Sequence, residues 1–270
     1  MWPRDRVRDG EVLRIGALAL ERWELVDDRL RLLEARPRAG AFDLLAEEIK
    51  AVYVIAPKAS VTVVLESACA PVIFVDPGAT LRTAPLEALV RHRFNLNFSD
   101  EIEPPSTWAI RMQRSARKPR VVAYGLPPSL ESVLNSLSGN GITWATWCPA
   151  FSWGWQCFER LAPKSEGATW WIWPEQDRSI VARVKAGEVI GLHPAVSAGA
   201  DDAALLRAVS VEAARLGLDA GHEPISVAEW GHVSGSRTLS NGMGWRPVRT
   251  AAAASSLAAD MPRSAKVVSA

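Results

Sequence analysis

Apolar residues recur in short runs separated by turn-forming residues, and this pattern predicts alternating strands and helices. Residues 11–35 contain strand-like stretches that break near Gly16 and at Asp27-Asp28, where aspartate favours a turn. The breaks predict two or three antiparallel strands, and a helix over residues 17–26 is the alternative. A second triplet of short strands, joined by two turns, is predicted over residues 169–192.

Apolar stripes at helical spacing predict the helices that connect these strands. In residues 41–50, Phe42, Leu45 and Ile49 share one face of a short amphipathic helix. Further helices are predicted at 84–97, at 128–138, after Pro149, and from Asp202 to Gly217. Further strands are predicted at 61–66, 72–75, 108–112, 121–124, 142–148 and 225–229.

The order of these elements partly repeats, which predicts a chain of two α/β lobes. Each strand triplet is followed by at least one helix and a further strand. We expect a first lobe over residues 11–165 and a shorter second lobe over 166–233. Residues 234–270 are small, polar and nearly free of aromatic side chains. They predict a disordered tail, because they bury too little apolar area to offset their chain entropy.

Composition and charge exclude several classes of function. The 270 residues are 48% hydrophobic and 23% charged, with a net charge of +1, which is ordinary globular composition. No global field attracts nucleic acid, and no nucleic-acid-binding motif is present, so we expect no nucleic-acid partner. The apolar runs fall far short of the roughly 20 residues that a membrane span needs. The N-terminus also lacks the apolar segment of a secretory signal.

Cysteine usage indicates a reducing compartment. Cys69, Cys148 and Cys157 form no Cys-x-x-Cys pair and are odd in number, which favours free and mostly buried thiols. We therefore expect a cytoplasmic protein that reaches a membrane only through a partner.

Few residues form a pattern that supports catalysis or metal binding. Asp76-Pro77-Gly78 superficially matches a phosphate loop, but Pro77 removes one N–H donor and a helix follows, so a tight turn is the favoured interpretation. Cys148 has no base nearby and is interpreted as a structural thiol. The histidines lack metal-ligand spacing such as HExxH; they are His92, His193, His222 and His232. We expect no catalytic residue, metal or cofactor.

Basic side chains in one predicted loop are candidates for partner contacts. Arg114, Arg117 and Lys118 lie between two predicted strands, in a segment without an acidic residue. Such a cluster attracts anionic lipid headgroups. A solvated loop is the alternative.

Tryptophan is unusually frequent, with 12 residues against 2 tyrosines. Neighbours in a strand, such as Trp170 and Trp171, face opposite sides, so both are buried only if helices cover both faces of the sheet. We expect cover for most of them. Trp153 is the candidate exposed contact, because it points away from the helical stripe of Phe151 and Phe158.

The order of the elements and several apolar segments resemble those of the actin-like assembly-platform proteins of type IV pili and type II secretion, namely PilM-like and GspL-like proteins. The resemblance covers most of residues 11–230 and includes no invariant motif. The matching segments are the strand pair at 61–75 with the helix at 85–98, the strand at 121–124 with the helix at 128–138, residues 141–150, and the strands and helix at 169–218.

The resemblance implies an actin/ribonuclease-H-like fold, with a small subdomain at about 61–112 inserted into the first lobe. It also implies a cytoplasmic scaffold that docks a short segment of a membrane-anchored partner. GspL proteins continue into a membrane helix, which is not found in this sequence, so a PilM-like arrangement is expected.

Two turns depart from an actin-like ATPase, which holds phosphate at an Asp-x-Gly turn in the second lobe and at a matching turn in the first. Gly16-Ala17 lacks the aspartate, and Pro174-Glu175-Gln176 stands in the second lobe. These departures favour a non-enzymatic scaffold. A divergent nucleotide-binding protein that uses the Asp76 loop is the alternative, and a small enzyme using Cys148 or a histidine is a third hypothesis.

Overall fold

The computed structural model describes most of the chain between Gly10 and Leu239. The described residues are 10–26, 29–38, 42, 44–53, 61–76, 83–114, 120–138, 144–159, 167–195, 201–218, 223–228, 230 and 236–239. The strands are β1 (Gly10–Ile15), β2 (Ala19–Val26), β3 (Arg29–Pro37), β4 (Val61–Leu65), β5 (Val72–Val75), β6 (Ala109–Arg114), β7 (Val121–Leu126), β8 (Trp144–Pro149), β9 (Ala168–Pro174), β10 (Ser179–Lys185), β11 (Glu188–Ala195), β12 (Ile225–Ala228) and β13 (Ser236–Leu239). The helices are α1 (Leu45–Val52), α2 (Thr83–Asn97), α3 (Pro128–Ser138), α4 (Ala150–Glu159) and α5 (Asp202–Arg215).

Both predicted strand triplets are present. The segment 11–35 forms β1, β2 and β3, so the alternative helix over 17–26 is wrong. The helix predicted over 41–50 begins later, at Leu45, and Phe42 precedes it. Helix α5 begins where a side chain caps its N-terminus. The Asp201 carboxylate accepts a hydrogen bond from the Ala204 N–H at 2.6 Å.

Two five-stranded sheets have the same internal order. The first runs β3-β2-β1-β4-β8 and the second β11-β10-β9-β12-β13. In each, three antiparallel strands are followed by a strand parallel to the central one. We refer to β1 through α4 as the first lobe and to β9 through β13 as the second. The β1–β2 and β9–β10 turns therefore occupy equivalent places in their sheets.

The small subdomain has different limits from those predicted. Residues 61–112 were expected to form the insertion, but β4 (61–65) pairs with β1 and β8 inside the first sheet. The third sheet has the order β5-β7-β6 and so includes β7, which lies beyond residue 112. β4 lies between β1 and β8 and is parallel to both. Its mostly apolar sequence fits this place, because a central parallel strand is buried on both faces.

The predicted tail also needs a correction at its start. Residues 236–239, which fall in the segment 234–270, form β13 and pair antiparallel with β12. Backbone hydrogen bonding to a neighbouring strand holds this segment, so its polar composition does not prevent it from being ordered. Residues 240–270 lie outside the described residues. Among the residues that are described, no helix has the length and apolar character needed to cross a bilayer.

Helix α4 lies between the two lobes and is buried over its described side chains. It packs on β4 and β8 of the first sheet, while Phe151 and Trp155 contact Trp171 of β9, with ring centroids 5.4 and 5.7 Å apart. On the other face of β9, Trp170 packs against Leu205 of α5 in a separate cluster. The expectation that helices cover both faces is confirmed for Trp170 and Trp171, which are both 0% exposed.

Close packing of α4 against β9 requires a glycine at one point. A Cβ atom on Gly154 would lie 2.3 Å from Cε3 of the Trp173 indole, well inside van der Waals contact. The lobes are thus held together by an apolar seam in which tryptophan rings meet helix backbone.

We predict that Gly154→Ala destabilises the protein, although alanine is the better helix former by about 1 kcal/mol. The new methyl group must displace Trp173, and overpacking of this kind costs about 1–3 kcal/mol. The free energy of unfolding in urea measures the effect. Gly191→Ala is the matched control, because its Cβ would meet its nearest atom at 3.5 Å; equal stability of the two variants would contradict the tight seam.

Candidate functional site

Three turns meet at the cleft between the lobes. They follow β1 (residues 16–18), β4 (residues 66–70) and β9 (residues 175–178). Because β1 and β4 are parallel neighbours, their carboxyl ends lie at one edge of the first sheet. The β9–β10 turn of the second lobe approaches that edge directly. In an actin-like ATPase, turns at these places would face a bound nucleotide.

The side chain of Gln176 joins the two hairpin turns. Its Oε1 accepts hydrogen bonds from the backbone N–H groups of Leu18 and Ala19 at 2.9 and 2.8 Å. Its Nε2 donates to the Ala19 carbonyl and to Oε1 of Glu21, both at 3.2 Å. One amide side chain therefore takes up the backbone donors that a phosphate-binding turn would offer to its ligand.

Gly16 makes this approach possible. A Cβ atom at this position would lie 2.1 Å from Oε1 of Gln176 and 2.5 Å from Oε2 of Glu66. The glycine is thus required for close contact between the lobes. An actin-like phosphate turn also relies on glycine, but there the space admits a phosphate group.

A second contact runs from the β4 turn to the β9 turn. The Glu66 carboxylate accepts a hydrogen bond from the Gln176 backbone N–H at 3.1 Å and forms an ion pair with Arg14. Arg14 also pairs with Glu21 at 3.0 Å. Glu66 is 0% exposed, so its charge relies on this guanidinium and on the amide donor rather than on water.

Glu175 points the other way across the cleft. Its carboxyl oxygens accept hydrogen bonds from the Ser67 backbone N–H at 3.0 Å and from the Ser67 hydroxyl. Burial, together with the nearby charge of Glu66, raises the pKa of Glu175 to about 8. Burial also raises the pKa of Glu66, and Arg14 opposes that shift.

Indole rings form one wall of this network. The guanidinium of Arg14 lies 4.4 Å from the ring centroid of Trp230, within cation–π range. Trp230 in turn contacts Trp173 and Trp23, with centroids 5.4 and 6.1 Å apart. The aromatic wall lowers the local polarity and thereby strengthens the ion pairs of Arg14.

The arrangement is poorly suited to hold phosphate. The backbone donors of the first turn are used by Gln176. Arg14 pairs with Glu21 and Glu66, and the buried Glu175 carboxyl group lies beside them. An anion entering here would meet negative charge and would have to displace an amide with four hydrogen bonds. In the described part of the chain, no group of three or more His, Cys, Asp or Glu side chains is placed to hold a metal ion.

The predicted exposure of Trp153 is wrong. Its side chain is 5% exposed and belongs to the cluster that spans both lobes. The prediction assumed a helix with one covered face, whereas α4 is enclosed by the first sheet on one side and by β9 on the other. Trp153 therefore presents no surface to a partner in this conformation.

The basic cluster is only partly within the described residues. Arg114 is exposed at the end of β6, while Arg117 and Lys118 lie outside the described residues. Arg120, at the far end of the loop, pairs with Asp76 at 2.8 Å and lies 3.9 Å from Glu188 of the second lobe. The role of the cluster as a partner site stays a prediction.

The other candidates do not assemble into a site. Asp76 follows the end of β5 and is engaged by Arg120; residues 77–80 lie outside the described residues. His92 is on α2 and His193 on β11, and burial lowers the pKa of His193. His222 and His232 lie outside the described residues. Cys69 and Cys148 are buried and form no disulfide, as predicted.

Sequence patterns missed the residues that fill the cleft. Glu66, Ser67 and Arg14 were not singled out, and Glu175 and Gln176 were noted only for the motif that they replace. A signal was present for Glu66 and Glu175, because each directly follows a largely apolar strand. Their partners lie 108 to 158 residues away in sequence for the inter-lobe bonds, which no local pattern reveals.

A scan against protein-family models and a search of curated proteins both find no match for this chain. Solved structures do match. A Bacteroides thetaiotaomicron protein of unknown function with an actin-like ATPase fold is 10% identical, covers 85% of this chain and 86% of its own, and gives a TM-score of 0.55. The fold is actin-like. The predicted two-lobed α/β class is thereby confirmed.

Two further structures belong to pilus and secretion systems. The PilM–PilN type IV pilus biogenesis complex is 16% identical over 78% of this chain and 67% of that chain, with a TM-score of 0.50. The cytoplasmic domain of EpsL, an inner-membrane component of the Vibrio cholerae type II secretion system, is 15% identical over 82% of this chain and 86% of that chain, with a TM-score of 0.44. Ppx/GppA enzymes also match, at lower TM-scores. At these identities the likeness concerns the fold.

We predict that Gly16→Ala destabilises the actin-like fold by about 1–3 kcal/mol, because the methyl group forces the Gln176 amide out of its hydrogen bonds. Urea unfolding measures the loss. Combining it with Gln176→Ala should recover part of the cost, since the clashing amide is then absent. Gly167→Ala, where a Cβ meets nothing within 4 Å, is the control; additive costs in the double variant would contradict the direct contact.

Proposed function

We propose that this chain is a non-enzymatic scaffold of a type IV pilus or type II secretion platform at the cytoplasmic face of the inner membrane. It docks a segment of a membrane-anchored partner protein and keeps the two-lobed shape without nucleotide.

One observation carries the proposal: the second-lobe turn fills the cleft of the first lobe. Gln176 occupies the backbone donors of Leu18 and Ala19, and the buried carboxyl groups of Glu66 and Glu175 flank it. Because the cleft is closed by side chains of the protein itself, only the outer surfaces of the lobes are left to bind another protein. This favours binding over catalysis.

The pilus and secretion setting is supported by the solved structures of the same fold. The PilM–PilN structure is a type IV pilus biogenesis complex. The sequence segments that resemble PilM and GspL proteins also support a role in a pilus or secretion platform.

The docking surface that we propose includes the basic loop after β6. Arg114 is its described member and is exposed, and Arg117 and Lys118 extend the positive charge along the sequence. Trp153 is not included because it is buried. A basic loop fits an acidic or phosphate-rich surface, such as the cytoplasmic segment of a membrane protein close to anionic lipid.

We predict that the clean, full-length protein neither binds nor hydrolyses Mg-ATP, because its backbone donors are occupied and its cleft carries carboxyl groups. Thermal unfolding with and without Mg-ATP, and phosphate release, measure this. A ligand at a hundred times its Kd would add about 2.7 kcal/mol, a shift that is readily detected. Phosphate release, or a thermal shift that disappears in Asp76→Ala, would overturn the scaffold and favour a divergent nucleotide-binding protein.

We also predict that a photo-crosslinking side chain at position 114 captures a bitopic inner-membrane protein in cells. Position 211 on α5 is the matched control, because Val211 is 66% exposed but lies in the second lobe. A cytoplasmic peptide of the captured protein should bind the purified chain, and Arg114→Glu should weaken that binding. Equal capture at both positions, or failure of the peptide to bind, counts against this surface.

A further inference from the structure

We propose that Glu66 and Glu175 form a proton-dependent latch between the lobes: one proton retained by this buried pair keeps the cleft closed, and its loss weakens the closed arrangement. The inference concerns the conformation of the cleft and does not depend on the partner proposed above.

The bonds that cross the cleft are few and identifiable. Three first-lobe N–H groups, those of Leu18, Ala19 and Ser67, donate to side chains of the β9–β10 turn. In the reverse direction, the Gln176 N–H donates to Glu66. Separation of the β9–β10 turn from the two first-lobe turns would break all four of these amide hydrogen bonds, so the four amides report directly on opening of the cleft.

The charges at the cleft do not balance when every carboxyl group is ionised. Glu21 on β2, Glu66 after β4, and Glu175 and Asp177 after β9 lie around two guanidinium groups, those of Arg14 on β1 and Arg178 after β9. Glu175 is 8% exposed and Glu66 0%, so water screens neither of them. Two buried carboxylates of like charge favour retention of a proton by one of the pair.

The remaining charged groups around the cleft are otherwise engaged. Arg38, after β3, donates to the Gly16 carbonyl at 2.5 Å and to Sγ of Cys69 at 3.3 Å, and lies 3.6 Å from Glu48 of α1. On the β9–β10 turn itself, Arg178 pairs with Asp177 at 2.6 Å. Arg178 also interacts electrostatically with Glu175, although its hydrogen bonds go to Asp177.

The direction of the pH effect follows from where the proton is held. In the closed cleft the pKa of Glu175 is raised to about 8, whereas the pKa of a solvated glutamate is about 4.3. Between these values the closed state holds one proton more than the open state. Closure is therefore strongest at low pH and weakens as the pH rises towards about 8, after which it stays constant.

The tryptophan seam confines this opening to the turns. Phe151 and Gly154 of α4 remain packed on Trp171 and Trp173, and these contacts carry no titratable group. Ionisation of the latch is thus expected to release the hairpin turns while the lobes stay attached through α4.

Amide hydrogen exchange of the full-length protein, followed by NMR between pH 5 and pH 8.5, tests the latch. Protection factors, which already remove the intrinsic pH dependence of exchange, are measured for Leu18, Ala19, Ser67 and Gln176. We expect them to fall together, by up to about tenfold per pH unit below about pH 8, for a linkage of one proton. Protection that does not change with pH would overturn the proposal.

Three variants assign the effect to the pair. Glu175→Gln keeps the shape and an acceptor but cannot ionise, so the four amides should lose most of their pH dependence. Glu223→Gln, whose carboxyl group pairs with Arg183 outside this network, should retain it. Glu66→Gln should reduce it, since the remaining carboxyl group no longer faces a like charge; this variant also serves if Glu175→Gln does not fold. A pH dependence that survives in both glutamine variants would exclude the latch.

Discussion

The close approach of Gln176 to Gly16 is the contact on which the shape of this protein depends. It places an uncharged amide where the fold otherwise leaves room for a ligand, and it satisfies two backbone donors that would be costly to bury unpaired. Because Gly16 has no side chain, the two hairpin turns come within hydrogen-bonding distance of each other. The cleft is thus closed by the chain itself.

Closure of this kind has an electrostatic cost. Glu66 and Glu175 are both buried, and Arg14 is the ion-pair partner of Glu66 and Glu21. Buried ion pairs seldom add net stability, because desolvation offsets their attraction. The apolar seam of α4 against β9 supplies the compensating stability, and the polar network decides which conformation the turns adopt. Apolar packing therefore holds the lobes, and the polar contacts align them.

Repetition of one sheet order in both lobes explains where this network lies. Each lobe places its central strand, β1 or β9, next to a parallel strand, and the turn that follows the central strand points into the cleft. In the first lobe β8 extends the parallel arrangement, whereas β13 in the second is antiparallel. The cleft is common to the fold, and the residues at its edge decide whether it binds a ligand or is filled.

The sequence alone determined the strand triplets, most helices and the two-lobed α/β class, because these follow from local periodicity and turn chemistry. It also indicated that Asp-x-Gly turns are missing. Tertiary structure decided the rest: that β4 is a central strand and not part of the insertion, that residues 236–239 pair with β12, and that α4 is covered on both sides, which buries Trp153. It alone brought Gly16, Glu66 and Gln176 together. Contacts between segments more than 100 residues apart depend on how the sheets pack. A local sequence pattern does not indicate which distant residues will meet.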